Sequence, residues 1–274
     1  MRRGKTIPCA VTIAGSDSGG GAGIQADLKT FARLGAHGAS VITCITAQNP
    51  KRVLGIEACS PIMVRRQLEA VFECLKPAAA KTGMLYSAEL IRTVAAFVRR
   101  NPVPLVVDPV MISTSGARLL REAAVRAIAR DLFPLATLLT PNLHEAEILT
   151  SQRLKSVEDI RRAAKFLCGR FGCAVLVKGG HLRGLREAVD ILNDGKDELL
   201  LSAPYVRGVR THGTGCTYSA AIAACLARGL GLPEAVVRAK EFITQAIAQS
   251  RVVAGHPVLN SFWEPVGAPS CTGV

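Results

Sequence analysis

Long hydrophobic runs are absent from this chain of 274 residues. The long apolar stretch Cys216–Ala227 ends at Arg228 and falls short of the roughly 18 residues that span a bilayer. The basic segment Met1–Lys5 is followed by a short apolar run that ends in glycines, which argues against a signal peptide. We therefore expect no membrane partner and a cytoplasmic location.

Paired cysteine motifs are absent as well. The nine cysteines are an odd number without any CxxC pair, and the two closest are Cys168 and Cys173. A disulfide framework or a zinc site would show closely paired cysteines. The cysteines are therefore expected to be reduced thiols, as in cytosolic proteins.

Aromatic residues are scarce, at 4 % of the chain, although the formal net charge is +13. Surfaces that bind single-stranded nucleic acids combine basic residues with aromatic stacking platforms. Here no aromatic side chain is interleaved with the arginine pairs Arg65-Arg66, Arg99-Arg100 and Arg161-Arg162. The pattern favours solvent-exposed helix faces and no nucleic-acid partner, and the charge can attract anionic phosphorylated substrates.

Apolar runs typical of strands alternate with longer helical patterns, and hydrophobic residues make up 49 % of the chain. The predicted strands are Cys9–Ala14, Ala39–Thr46, Ala78–Gly83, Leu105–Asp108, Leu138–Thr140 and Ala174–Lys178, with a hairpin of Ala188–Asn193 and Glu198–Ala203. The predicted helices are Ile24–Leu34, Pro61–Leu75, Ala88–Arg100, Arg118–Leu132, Val157–Phe171 and two that begin at Thr214 and Pro233. This alternation predicts one α/β domain over 1–274, with a mostly parallel sheet covered on both faces. Its core is expected at about 9–252, followed by a loosely ordered tail over 253–274.

Glycines and polar residues follow the predicted strands, at Gly15–Gly23, Gln48, Gly83-Met84, Asp108-Pro109, Asn142, Lys178 and Gly213–Cys216. The carboxyl ends of parallel strands lie at one edge of a sheet, and ligands bind there in open α/β folds. These segments are therefore expected to converge on one site.

The most informative segment is Thr211–Thr217, with the sequence THGTGCT, at the start of a small-residue helix. Its glycines expose backbone N–H groups, and a helix N-terminus carries partial positive charge, so the turn can bind a phosphoryl anion. The same field predicts a lowered pKa and a thiolate for Cys216, a candidate proton acceptor. Taken alone, the segment also fits a glycine-rich helix cap with a buried cysteine.

Two common nucleotide signatures do not account for the loop Gly15–Gly23. The loop is followed by Ile24-Gln25, without the lysine of a GxxxxGK[ST] phosphate loop. The segment Gly21–Ala26 satisfies the loose dinucleotide pattern, but no acidic residue occurs between Asp27 and Glu57. The glycines are expected to let the backbone approach a flat ligand or a phosphate closely.

Two further segments carry candidate polar groups. Asn142 and Glu145 stand three apart at a predicted helix start, where they can orient hydrated Mg²⁺ near phosphates or simply form a helix cap. Lys178 ends a strand and is followed by Gly179-Gly180, which fits either a phosphate contact or an exposed turn.

Seven ordered motifs together resemble one family, the hydroxymethylpyrimidine/phosphomethylpyrimidine kinases of thiamin synthesis, in the ribokinase-like superfamily. The motifs are AGSDSGGGAGIQADLKT, VITCITAQN, KTGML, VVDPVM, LLTPNLHEAE, VLVKGGH and THGTGCTYSAAIA. The resemblance covers roughly Ala10 to Val252, and the cysteine of GTGC separates this branch and the pyridoxal kinases from sugar kinases with GAGD. It implies a ribokinase-like three-layer α/β/α fold with ATP and Mg²⁺ as cofactors.

The resemblance also implies roles for individual residues. The substrate side comprises Gly15, Asp17, Ala22, Gln48, Met84 and Val110, and the nucleotide side Asn142, Lys178, Thr211 and His212. Asp108 and Glu145 are implied for the metal, Gly213, Thr214 and Gly215 for the anion hole, and Cys216 for the base. An amide such as that of Gln48 suits an aminopyrimidine because it can donate and accept at once.

Two alternatives stay open at this point. Pyridoxal kinases use the same scaffold on another flat heteroaromatic alcohol, and motifs alone do not separate the two substrates. A non-catalytic ligand-binding regulator is disfavoured because Asn142, Glu145 and Cys216 are all present and a pure binder needs no base. The resemblance further implies a homodimer.

Overall fold

A nine-stranded sheet forms the centre of the computed structural model, which describes residues 6–111, 122–180, 182, 186–206 and 212–263. Its strands are β1 (Cys9–Asp17), β2 (His37–Gln48), β3 (Val53–Ala58), β4 (Ala79–Thr82), β5 (Leu105–Val107), β6 (Leu138–Leu139), β7 (Ala174–Lys178), β8 (Glu187–Asn193) and β9 (Glu198–Pro204). Their spatial order is β3-β2-β1-β4-β5-β6-β7-β8-β9. The predicted set of strands is confirmed, with the addition of β3.

Six neighbouring strands, from β2 through β1, β4, β5 and β6 to β7, pair in parallel. Strand β3 at one edge and strands β8 and β9 at the other end of the sheet are antiparallel to their neighbours. The prediction of a mostly parallel sheet is therefore confirmed. Strand β3 was not predicted because Val53–Ala58 contains Gly55 and Glu57 and is largely exposed, so it lacks a clear apolar alternation.

Helices cover both faces of the sheet. They are α1 (Gly23–Arg33), α2 (Pro61–Leu75), α3 (Ala88–Arg100), α4 (Glu122–Ala127), α5 (Leu143–Thr150), α6 (Val157–Phe171), α7 (Thr214–Ala227) and α8 (Leu232–Ala248). One core packs helices α2 to α6 against residues such as Val11 and Val107, and the other packs α1, α7 and α8 against residues such as Ala10 and Val106. Because adjacent strand residues face opposite cores, the fold is the expected three-layer α/β/α arrangement.

Helix α3 illustrates how the sequence determines an outer helix. The hydroxyl of Ser87 accepts a hydrogen bond from the N–H of Leu90 at 3.2 Å and caps the first turn. Leu90, Ile91, Val94 and Val98 recur at helical spacing and are buried against the sheet. The helix ends in two arginines, where positive charge is favourable.

Helix α7 is buried on nearly all sides, unlike α3. Its residues from Thr217 to Cys225 are all buried, and it contacts β1, β4 and β5 as well as α1 and α8. Small side chains such as Ala220 and Ala224 allow this close packing. No helix within the described ranges is long and apolar enough to cross a membrane.

Two segments differ from the sequence prediction. The helix predicted over Arg118–Leu132 continues beyond α4 as a π-helical turn, Ile128–Leu132, and its start at 118–121 lies outside the described residues.

The start of the predicted tail belongs to a hairpin. Its two strands are β10 (Arg251–Val253) and β11 (His256–Val258). Trp263 then packs against Phe242 with ring centroids 5.0 Å apart. The part of the tail up to residue 263 is thus structured, because its aromatic side chain finds an apolar surface on α8.

Candidate active site

The polar segments predicted to converge do meet at the carboxyl edge of the parallel strands. The Nε2 atom of His212 lies 3.2 Å from Oδ2 of Asp17 and 2.9 Å from Nε2 of Gln48. On the other side of α7, Nζ of Lys178 lies 3.1 Å from Oδ1 of Asp108. Residues from β1, β2, β5, β7 and the start of α7 therefore share one site. Thr211, predicted for the nucleotide side, lies outside the described residues.

The glycine loop after β1 and the turn before α7 are in direct backbone contact. Gly213 has φ +85°, and a Cβ atom there would lie 1.8 Å from the carbonyl oxygen of Gly21. Gly23 has φ +57°, and its Cβ would lie 2.4 Å from the oxygen of Gly15. No side chain fits at either position, so these glycines bring two backbone segments together around the site.

Asp17 organises the glycine loop. Its buried carboxylate accepts hydrogen bonds from the N–H groups of Gly19 and Ala22, both at 2.8 Å, and of Gly21 at 3.2 Å. Burial alone would raise the pKa of Asp17, but the hydrogen bonds from His212 and the loop amides outweigh burial and lower it. The aspartate therefore stays ionised and fixes the shape of the loop. The N–H of Ala22, also predicted for the substrate side, is one of the groups it holds.

An apolar surface lies beside Gly15. A Cβ atom at Gly15 would be 2.7 Å from Sγ of Cys44 and 3.1 Å from Cε of Met84. The hydroxyl of Thr43 donates to the carbonyl of Met84 at 2.7 Å and fixes the chain at this point. The predicted substrate residues Gly15 and Met84 are thus adjacent, and Cys44 was missed by the sequence prediction.

Val110 has a backbone conformation that is uncommon for a β-branched residue. Its φ of +39° lies in the left-handed region, between Asp108 and Met111. The strain is held by neighbours on both sides, since Asp108 and Met111 are both buried and Met111 donates its N–H to Glu145. A local strain of this kind is common at functional sites.

His212 contacts two residues that are predicted for the substrate side. Its ring contacts Gln48 and Asp17, and its Cδ2 atom would be 3.1 Å from a Cβ atom at Gly21. It therefore links the heterocycle-reading amide predicted at Gln48 to the turn that begins at Gly213. The sequence prediction grouped His212 with the nucleotide instead.

The Cys216 thiol contradicts one sequence prediction, because its pKa is raised to about 11 rather than lowered. Burial is the main cause, and the carboxylates of Asp27 and Asp108 add to it. The nearby Lys81 ammonium and the Gly23 amide oppose the shift but do not reverse it. Helix N-terminal charge predicted a thiolate, but the acidic residues that surround the thiol were not visible in the local sequence.

A fully buried ion pair lies close to Cys216 and was missed by the sequence prediction. The ammonium of Lys81 is 2.8 and 3.0 Å from the two carboxylate oxygens of Asp27, and the hydroxyl of Thr12 donates to the same carboxylate at 2.6 Å. Burial alone would lower the pKa of Lys81, but Asp27, Cys216 and Asp108 raise it. The signal was available, since charged residues interrupt an apolar helix face at Asp27 and an apolar strand at Lys81.

A second group of charges surrounds Gly215. A Cβ atom there would lie 3.2 Å from Nζ of Lys178 and 3.7 Å from Oδ2 of Asp108. The hydroxyl of Ser219 is 3.3 Å from the same Asp108 oxygen. Burial alone would lower the pKa of Lys178, but Asp108 and Glu145 raise it, so its ammonium stays charged. A cation and a carboxylate therefore lie directly at the first turn of α7.

Asn142 and Glu145 form a reciprocal capping box at the start of α5. Oδ1 of Asn142 accepts from the N–H of Glu145 and Oε2 of Glu145 accepts from the N–H of Asn142, both at 2.9 Å. Oε1 of Glu145 accepts from Met111 at 3.0 Å. Burial raises the pKa of Glu145 to about 7, with a further contribution from Asp108 and opposition from Lys178. The capping interpretation of these residues is thus correct, and the carboxylate also faces the site.

The carboxylates suit a hydrated divalent ion better than a protein cage. Within the described residues, no group of three or more His, Cys, Asp or Glu side chains could hold a metal. The charge of Asp108 adds to burial in raising the pKa of Glu145, and a cation nearby would relieve that repulsion. Mg²⁺ keeps several waters and uses few carboxylates in such sites. The residues present therefore fit water-mediated Mg²⁺.

Three comparisons place this architecture among known proteins. The chain is 47 % identical over 253 residues to hydroxymethylpyrimidine/phosphomethylpyrimidine kinase of Streptomyces coelicolor, covering 92 % of this chain and 91 % of that protein. The crystal structure of a phosphomethylpyrimidine kinase from Clostridium difficile is 44 % identical, with a TM-score of 0.78 over 88 % of this chain and all of that one. An ADP complex of Bacillus subtilis pyridoxal kinase is 37 % identical, with a TM-score of 0.87 over 93 % of this chain and 98 % of that one.

The family assignment rests on most of the chain. A sequence model described as phosphomethylpyrimidine kinase matches residues 17–260, from the glycine loop to the end of the terminal hairpin. This span includes every described site residue except Gly15, which precedes it by two positions. The fold is ribokinase-like, as the solved neighbours are, and the protein is an ATP-using kinase. The chain belongs to the phosphomethylpyrimidine kinase family.

Proposed function

We propose that this protein transfers the γ-phosphoryl group of ATP to the hydroxymethyl oxygen of 4-amino-5-hydroxymethyl-2-methylpyrimidine, and then a second phosphoryl group to the monophosphate. These are steps of thiamin biosynthesis. The observation that carries the proposal is the contact of Gln48 with His212, which directly precedes the turn Gly213–Cys216. A group that can read a heterocycle edge thus adjoins a turn that can bind a phosphoryl group. The names of the relatives support the same substrates.

On the substrate side, Gln48 offers an amide donor and acceptor to the aminopyrimidine. Gly15, Met84 and Val110 would contact the flat ring, which is supported by the apolar surface beside Gly15. Asp17 acts through the loop, because its carboxylate is occupied by the amides of that loop. His212 belongs to this side in our proposal, since it contacts Gln48 and Asp17 rather than Lys178.

On the nucleotide side, Lys178 and Asn142 lie on adjacent segments that form an isolated parallel bridge. The Lys178 ammonium would contact a phosphate at the first turn of α7, where Gly213, Thr214 and Gly215 offer backbone N–H groups. Asp108 and Glu145 would hold the water shell of Mg²⁺. When bound, Mg²⁺ supplies neutralisation of charge on the phosphates during transfer.

In the transfer step, a bond forms between the hydroxymethyl oxygen and the γ-phosphorus, while the bond from that phosphorus to the β,γ-bridging oxygen breaks and ADP leaves. The transition state is loose, so the hydroxyl proton departs late. We propose Cys216 as its acceptor. Because the pKa of this thiol is about 11, the thiolate is the minor form at neutral pH and the rate should depend on pH.

The substrate assignment is tested by a coupled assay of ADP release with hydroxymethylpyrimidine, its monophosphate and pyridoxal as acceptors at equal concentrations. We expect kcat/KM to be highest for the pyrimidine and its monophosphate. The resemblance to Bacillus subtilis pyridoxal kinase motivates the third acceptor. Brisk turnover of pyridoxal without pyrimidine phosphate would replace the proposed substrate by pyridoxal.

The role of Cys216 is tested by the pH dependence of kcat for the pyrimidine. If the thiolate is the base, kcat rises about tenfold per pH unit between pH 7 and 9, because the thiol pKa lies above this window. The rate must be measured in a single turnover by rapid mixing, so that product release does not limit the observed rate. A flat profile between pH 7 and 9 would remove Cys216 as the base.

We further propose a cytoplasmic homodimer. Every cysteine within the described part of the chain is a free thiol, which suits a reducing compartment. Exposed apolar side chains lie on the edge formed by β2, β3 and α2, namely Ile45, Leu54, Ile62 and Met63. Light scattering should give twice the chain mass of 28.9 kDa, and Leu54→Glu should shift the mass towards the monomer.

A further inference from the structure

A second buried ion pair lies outside the site described above. The ammonium of Lys240 on α8 is 2.7 Å from Oδ2 of Asp190 on β8 and donates to the carbonyl of Ala188 at 2.9 Å. Both side chains are nearly buried, with exposed fractions of 10 % and 4 %. Neither residue belongs to a motif that the sequence prediction used.

The other carboxylate oxygen of this pair binds the backbone next to the active-site residue Lys178. Oδ1 of Asp190 accepts a hydrogen bond from the N–H of Gly179 at 2.9 Å. Gly179 directly follows Lys178, and Lys178 and Asp190 are register partners in the antiparallel pair β7–β8. A Cβ atom at Gly179 would lie 2.2 Å from the oxygen of Val189, so the turn is in close contact with β8. Asp190 therefore holds the backbone immediately after the active-site lysine.

Tyr205 holds the same turn from its other side. Its hydroxyl lies 2.6 Å from the carbonyl oxygen of Gly180 and 3.1 Å from that of Leu182. The turn after Lys178 is thus attached at Gly179 by a carboxylate and at Gly180 by a phenol. The lysine at its start is in turn fixed by Asp108 at 3.1 Å.

The chemistry of this ion pair indicates that it positions the turn after Lys178 rather than stabilising the fold. Removing two charges from water costs free energy, and apolar side chains of similar volume often stabilise a core equally well. What an apolar pair would not provide is an acceptor for the Gly179 N–H, which would then be buried without a partner. The ammonium of Lys240, 2.7 Å from the other oxygen of the same carboxylate, holds that acceptor in place.

We propose that Asp190 and Lys240 are positioning residues that fix the turn after Lys178 and thereby set the affinity for the nucleotide. They act through Lys178 and touch no substrate. The inference rests on the proposed nucleotide-side role of Lys178. Its readout is the binding of MgATP analogues, which does not depend on which heterocycle is phosphorylated.

Two double variants separate position from stability. Asp190→Leu with Lys240→Met removes both charges and the acceptor for Gly179, whereas Asp190→Asn with Lys240→Met removes both charges but keeps an acceptor oxygen. Titration calorimetry with a non-hydrolysable ATP analogue and Mg²⁺ should give an affinity about tenfold weaker for the leucine variant. The asparagine variant should bind within about twofold of the wild type, and KM for the pyrimidine should change by less than about twofold in both.

Two outcomes would overturn the proposal: wild-type nucleotide affinity in the leucine variant, or equal loss in both variants. If either double variant fails to fold, Tyr205→Phe provides the test, because it leaves the buried pair intact and releases only the carbonyls of Gly180 and Leu182. We expect about a threefold weaker affinity for the analogue in that variant, and an unchanged value would overturn the proposal. A wild-type protein that binds the analogue but phosphorylates no pyrimidine would instead refute the proposed function alone.

Discussion

Two helix N-termini lie at the carboxyl edge of the sheet, and they differ in how their first turns are capped. At α5, Asn142 and Glu145 cap each other's backbone in a complete capping box. At α7, the N-cap residue is Gly213, which has no side chain to cap the first turn, and the segment Thr214–Thr217 contains no acidic residue. The first helix is capped by side chains of its own first turn, whereas the second begins at a glycine, as is common where a helix N-terminus binds an anion.

Because their first turns differ, the two helix starts favour ligands of opposite charge. The start of α7, with a glycine N-cap and no acidic residue in its first turn, favours the negative charge of a phosphoryl group, while the Glu145 carboxylate at α5 favours a cation. Lys178 lies between them, joined to Asn142 by a backbone bridge and 3.2 Å from the Cβ position of Gly215. In the proposed function, phosphates and their counter-ion would bind side by side because the two helix starts differ in charge preference.

Cys216→Ala, at the start of α7, should show the largest effect. A positioned base contributes roughly 10²- to 10⁴-fold, so kcat should fall by that factor while KM for the pyrimidine changes little. Cys225→Ala is the matched control, since Cys225 is buried in the same helix away from the turn. It should lower the melting temperature without lowering kcat. A destabilised Cys216→Ala protein with full turnover would leave Cys216 only a packing role.

Gly213→Ala should impair the same terminus through its backbone. An added Cβ would meet the oxygen of Gly21 at 1.8 Å, and φ is +85°, so the turn must move. Displaced backbone donors cost about 10²- to 10³-fold in turnover. Gly35→Ala is the control, because φ is +76° there and no atom lies within 4 Å of the added Cβ. Equal turnover in the two variants would show that the geometry of the α7 turn does not limit catalysis.

Glu145→Gln should weaken the cation side. We expect about a tenfold lower turnover at limiting Mg²⁺, a raised Mg²⁺ requirement and nearly unchanged pyrimidine binding. Glu147→Gln, in the same helix but paired with Arg153 at the surface, is the control. An unchanged Mg²⁺ requirement would restrict Glu145 to its capping role.

The same variant carries a prediction about stability and pH. The pKa of Glu145 is about 7 in the folded protein against an ordinary 4.5, so folding binds its proton. Its contribution to stability is complete below pH 4.5 and is lost as the pH rises to 7, by at most about 3 kcal/mol. Glu145→Gln should therefore show a smaller loss of melting temperature between pH 5 and 7.5 than the wild type.

Asn142→Ala should have the smallest effect, a loss of about 1 kcal/mol from the free energy of unfolding. Ser156→Ala removes the equivalent cap of α6, far from the site, and should cost a similar amount. If turnover of the folded protein falls only in the Asn142 variant, its amide contributes to the nucleotide side as well. Equal turnover in the two variants, measured well below their melting temperatures, would assign Asn142 to capping alone.

The sequence was sufficient to predict the layout of the site but not its electrostatics. Alternating strand and helix patterns placed Gln48, Lys178 and Gly213 at one edge, because parallel strands end together. The raised pKa of Cys216 could not be predicted, since it depends mainly on burial of the thiol in the folded chain and also on Asp27 and Asp108, which are remote in the sequence. From the sequence alone, the only indication of these buried charges was that charged residues interrupt apolar helix and strand patterns.

The late position of α7 in the chain has a consequence for synthesis on the ribosome. Its residues Ala220–Ala224 share a core with Ala10 of β1 and Ala79 of β4, which are made first. Domains fold as they emerge, and contacts between distant segments form slowly. Part of this face of the nascent sheet, beside the part that α1 covers, therefore stays uncovered until α7 has been translated, as a surface that chaperones can bind. The turn Gly213–Cys216 takes its position and the exposed apolar surface is covered in the same folding step.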